Sequence, residues 1–83
     1  MQFENLDVWQ RSANLACEVY LHFKLSKEFG LKDQITRSAL SISSNIAEGA
    51  SRKSQKEFSH FLSISLGSLF EIEMQLVIAN RIK

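Results

Sequence analysis

The sequence has no proline, three glycines and one cysteine in 83 residues. Nothing in it is built to interrupt a helix by removing an amide, and few positions offer an easy break, so the chain suits an all-helical fold. Cys17 is alone, which excludes an internal disulfide framework. A single thiol fits a reducing compartment, and a cytoplasmic location is expected. Charge of one sign is also lacking: ten Lys and Arg stand against nine Asp and Glu, a formal +1. An electrostatic partner therefore has to be read by a local patch. The opening Met1-Gln2-Phe3-Glu4 has neither the basic nor the apolar segment of a signal peptide. No uninterrupted apolar run reaches membrane-spanning length, so no membrane partner is expected. Repeats, linkers and low-complexity segments are missing too. What remains is one domain, residues 1–83, of a size that hides only about 60% of the surface its unfolded form exposes. With disulfides excluded, self-association is a common remedy.

Apolar periodicity divides the domain into three helices, roughly 5–24, 33–48 and 55–81. In the first, Leu6, Trp9, Ala13, Ala16, Tyr20 and Phe23 share a face widened by Val8, Leu15 and Val19. Asn5 is the expected N-cap, and Asp7 suits the positive first turn. Cys17 borders the apolar face and is expected as a buried, packed thiol. His22 falls on the polar face with no second ligand nearby, so it reads as solvated. Gly30 offers a left-handed stop within a Ser26–Gly30 connector. Helix two then aligns Leu31, Ile35, Ala39, Ile42 and Ile46, and Gly49 stands where a left-handed C′ glycine is wanted. Ser54-Gln55-Lys56-Glu57 reads as a capping box. Residues 49–53 thus become a short turn between antiparallel helices.

The third helix carries a seam of near-heptad spacing: Phe58, Phe61, Leu62, Ser65, Leu69, Ile72, Leu76 and Ala79. A second apolar line, Leu66, Phe70, Met74 and Val77, runs on its far side. Two apolar faces need cover from two directions, and soluble monomers rarely leave such a patch open. The second line is therefore where copies are expected to meet. Polar stripes flank the seams: Arg37, Ser41, Asn45 and Glu48 on helix two, and Ser68, Glu71 and Gln75 on helix three. They are expected to form an inter-helix polar network in which Arg37 reaches Glu71; a solvated stripe with incidental surface pairs is the competing reading. Arg52, Lys53 and Lys56 gather where free amides and the helix dipole favour an anion. They are the candidate nucleic-acid contact, set against a turn that is basic by chance. No nucleophile elbow, metal-spaced ligand pair or glycine-rich phosphate loop occurs, so no catalytic residue, cofactor or metal is expected.

Three strings carry a family resemblance: Phe3-x-x-Leu6-x-Val8-Trp9; Gln34-x-x-Arg37-Ser38-Ala39-x-Ser41-Ile42 running on to Ser44-Asn45-Ile46-Ala47-Glu48-Gly49; and Glu57-Phe58-x-x-Phe61-Leu62 with Gly67-Ser68-Leu69-x-Glu71-x-Glu73-x-Gln75-Leu76. Over almost the whole chain they resemble the four-helix bundle proteins of the 23S rRNA intervening-sequence family. The resemblance implies an all-α antiparallel bundle, here with three helices and the fourth missing. It implies bacterial protomers that gather into a homo-oligomeric ring, typically a pentamer, and it carries over no catalytic residues. A related group, the accessory variability proteins of diversity-generating retroelements, is associated with nucleic acid and a reverse transcriptase. The expected function is a non-enzymatic, homo-oligomeric bundle protein that binds RNA or DNA through basic patches. The alternative is a structural scaffold for a protein partner such as a polymerase, with no nucleic-acid role. Two departures stand out: Lys32 occupies the place of a capping Ser or Thr, and Asn80-Arg81-Ile82-Lys83 stands where the family continues into a fourth helix.

Overall fold

The computed structural model describes residues 3–82. A single 3-10 turn, Phe3–Asn5, precedes α1 (Asp7–Phe23), α2 (Phe29–Ala50) and α3 (Gln55–Ile82), and no strand occurs among the described residues. The chain is all-α. α2 occupies the middle: α1 and α3 each pack against it, and α1 and α3 make no close backbone approach to one another. Ile35, Ala39, Ile42 and Ile46 of α2 recur at helical spacing and are buried. α1 adds Val19 and Phe23 to this core, whereas α3 adds a single large side chain, Ile72. The pairs Gly49–Phe58, Ile42–Ser65 and Ser38–Glu71 lie progressively further from the turn, so α2 and α3 are antiparallel.

The core is thin for the chain's length. The molecule measures 44 × 19 × 16 Å with a radius of gyration of 13.7 Å, against about 12 Å for a compact domain of this length. Its accessible surface is 6106 Å², where a closed monomer of 9.5 kDa would show about 5,000 Å².

Several helix ends differ from the sequence-based expectation. Asn5 does not cap α1; it closes the 3-10 turn, in which the Leu6 amide donates to the Phe3 carbonyl at 3.0 Å. Leu6 is the N-cap residue and makes no side-chain cap. α2 starts four residues earlier than expected, with Gly30 inside it, and no described glycine has a positive φ. α2 has no side-chain N-cap; in the connector before it Ser26 Oγ accepts from the Glu28 amide at 3.1 Å, and Lys32 Nζ of α2 donates to the Lys24 carbonyl at 3.0 Å. Gly49 is helical too, and α2 ends at Ala50 with the Ser51 hydroxyl donating to the Glu48 carbonyl at 2.7 Å. Room, not backbone freedom, is what Gly49 supplies. A Cβ there would stand 2.8 Å from Phe58 Cδ1 and 2.9 Å from the Cβ of Phe61.

The start of α3 has half of the expected capping box, with Ser54 Oγ accepting from the Glu57 amide at 3.1 Å. Cys17 is exposed, contrary to the expectation of a packed thiol. The reason is coverage: of the two other α-helices α1 packs against α2 only, so its buried strip narrows to Ser12, Val19 and Phe23, and even Tyr20 is half exposed.

Candidate functional site

Between α2 and α3 the packing surface is polar and small. Ser65 Oγ donates to the Ile42 carbonyl at 3.0 Å, and Ser68 Oγ donates to Ser41 Oγ at 3.0 Å. The Asn45 side-chain amide donates to the same Ser41, at 2.8 Å to its carbonyl and 3.0 Å to its hydroxyl. One turn along, the Ser38 hydroxyl is shared between the Gln34 carbonyl at 3.1 Å and Glu71 Oε2 at 3.3 Å. Serines let two backbones approach closely, while their hydroxyls find acceptors across the seam. Gln75 ends this row, 5% exposed, with its Oε1 unpartnered.

The structure thus brings Ser41, Asn45 and Ser68 together and gives Glu71 a partner, but it places Arg37 and Glu48 elsewhere. Arg37 does not reach Glu71. Its guanidinium pairs with Asp33 at 3.2 Å within α2, and its side chain is 79% exposed. Ser38, one residue on, is the group turned toward Glu71. Glu48 pairs with Arg52. The physical cause is the close α2–α3 approach, which admits hydroxyls into the seam and leaves a long charged side chain outside it.

With small and polar residues in the seam, many of the large apolar residues of α3 face outward. Its buried residues are Ser65, Ser68, Ile72 and Gln75. Leu69 and Leu76, expected inside, are exposed. So is the second apolar line: Leu66 52%, Phe70 59%, Met74 52% and Val77 53%. One residue to which the sequence analysis gave no site role stands among them. Glu73 lies three or four residues from Leu69, Phe70, Leu76 and Val77, all its neighbours on the helix surface. That spacing was readable without a structure.

At the open end of the bundle, His22, Phe23, Leu31, Leu76, Val77 and Ile82 border a groove of about 720 Å³. The His22 ring meets Phe23 edge-on at 4.9 Å, and no group of three His, Cys, Asp or Glu able to hold a metal occurs among the described residues. By length and composition α3 is apolar enough to cross a membrane. Glu71 and Glu73 lie within it, and Ser65 and Ser68 are bonded to α2.

The basic turn is less basic than its sequence suggests. Arg52 is paired with Glu48, and its guanidinium carbon lies 5.1 Å from the centre of the Phe61 ring. Lys53 and Lys56 are exposed, with Glu57 beside them in the first turn of α3. A family model described as 23S rRNA-intervening sequence protein matches residues 4–83. Among curated proteins none matches the chain.

Proposed function

The chain belongs to the 23S rRNA-intervening sequence protein family, and from that premise we propose that it is a non-catalytic helical protein that works as a homo-oligomer. Copies meet on the outer face of α3. One observation carries the reading: α3 buries Ser65, Ser68 and Gln75 with one large apolar side chain, Ile72, and exposes Leu66, Phe70, Met74 and Val77. A helix turned this way is half of a contact. Covering each of those side chains would contribute roughly 1.5–3 kcal/mol, a large share of the stability of so small a domain. The ring implied by the family resemblance, typically a pentamer, fits this face as the contact between neighbouring protomers. Light scattering on purified protein tests the reading. A mass that is a multiple of 9.5 kDa is expected, and a monomer mass across the micromolar range would refute it.

RNA or DNA as a further partner rests on Arg52, Lys53 and Lys56 at the start of α3. Geometry gives this less support, since the Glu48 pair neutralises Arg52 and leaves two lysines beside Glu57. The alternative is a scaffold for a protein such as a polymerase, held by apolar surface and indifferent to salt. Oligonucleotide binding at low salt by wild type and by the triple Ala variant of the three cations separates the two. A loss in the variant with a steep salt slope supports the nucleic-acid contact; equal binding removes it.

A further inference from the structure

We propose that Glu73 selects what covers the outer face of α3: a second copy of this chain that brings a basic side chain to the middle of an otherwise apolar contact. The inference rests on the self-association proposed above and specifies its chemistry. The helical neighbours of Glu73 are Leu69, Phe70, Leu76 and Val77, and all four are exposed. The carboxylate therefore stands at the centre of the apolar face and not on its rim. No described ion pair within the protomer includes it. No cation lies three or four residues away on its own helix.

Any surface that closes over those four side chains also removes Glu73 from water. Stranding a carboxylate there costs about as much as several apolar side chains return. A purely apolar partner is therefore disfavoured. A second α3 laid face to face brings another Glu73 and no cation to the centre. The covering surface has to be apolar with a positive charge in it.

The chain itself meets that description. The protomer exposes on the order of 1,000 Å² more than a closed monomer of its mass would, close to the roughly 800 Å² that each partner gives to a standard interface. Cations are available as well. Of ten Lys and Arg, the described ion pairs engage Arg11, Arg37 and Arg52, each with a carboxylate of its own helix. Lys24 and Lys27 of the α1–α2 connector are exposed and in none of these pairs, and Leu21 and Leu25 beside them are exposed too.

Sedimentation equilibrium on wild type, Glu73→Gln, Glu73→Lys and Glu73→Leu tests the proposal, with circular dichroism confirming that each variant is helical. Glu73→Gln should weaken association at least about 30-fold by stranding the opposing cation. Glu73→Lys should weaken it further, and Glu73→Leu should not restore it. Unchanged or tighter association of the Gln and Leu variants would overturn the proposal, because the carboxylate would then be neutral or a cost, yet self-association itself would stand. A monomeric wild type would instead overturn the reading beneath it.

Discussion

Gly49 and Phe61 stand at the limit of helix approach: a Cβ on the glycine would lie 2.9 Å from the Cβ of the phenylalanine. That second atom is fixed to the α3 backbone and cannot swing aside, so the two helices would have to part. Gly49→Ala is expected to lower stability by about 1–3 kcal/mol, as overpacked cores do. Gly67 is the control, an exposed position inside α3 with nothing within 4 Å of an added Cβ. There the same substitution should raise stability by roughly 0.5–1 kcal/mol through helix propensity. Chemical-denaturation midpoints that move in the same direction for both variants would contradict this account of the turn.

Gln75 is a place where the fold gives up stability. Its Oε1 is buried without a partner, and an unmade hydrogen bond in such a position costs about 1–3 kcal/mol. Gln75→Leu should raise the unfolding midpoint by a corresponding amount. An unchanged or lower midpoint would mean that the amide has a partner in solution.

Arg37 and Ser68 should exchange the importance that their charges alone suggest. The Arg37–Asp33 pair is an exposed i,i+4 contact, so Arg37→Ala is expected to cost only about 0.2–0.5 kcal/mol. Ser68 is buried against Ser41, and Ser68→Leu should cost roughly 1–3 kcal/mol by forcing the seam open. Urea titration of the two variants decides it: a larger loss for Arg37→Ala would restore a buried role for the guanidinium.

The three helices were legible because their apolar residues recur at spacings of three and four, and Ser54 with Glu57 marked the start of α3. Less legible was how α3 is rotated about its own axis. A wheel that counts only large apolar residues puts Leu69 and Leu76 inside. The actual seam is chosen by how closely Gly49, Ser41, Ser65 and Ser68 let α2 and α3 approach, a property of small residues that hydrophobicity does not measure. The glycines misled for a related reason, since a left-handed stop and a space-saving glycine look alike in sequence. Cys17 and Tyr20 were placed inside on the assumption that α1 is covered on a broad front. The line Leu66, Phe70, Met74 and Val77 was readable because it repeats on a face that two other helices cannot reach.

The account depends most on that line being covered by other copies, and sedimentation equilibrium on wild type beside Phe70→Glu tests it most directly. Phe70 is 59% exposed within the protomer, so a glutamate there leaves the fold intact and burdens only the contact between copies. The account predicts a wild type heavier than 9.5 kDa at micromolar concentration and a helical Phe70→Glu variant at the monomer mass. A wild type at the monomer mass, or a Phe70→Glu variant that assembles as the wild type does, would contradict it.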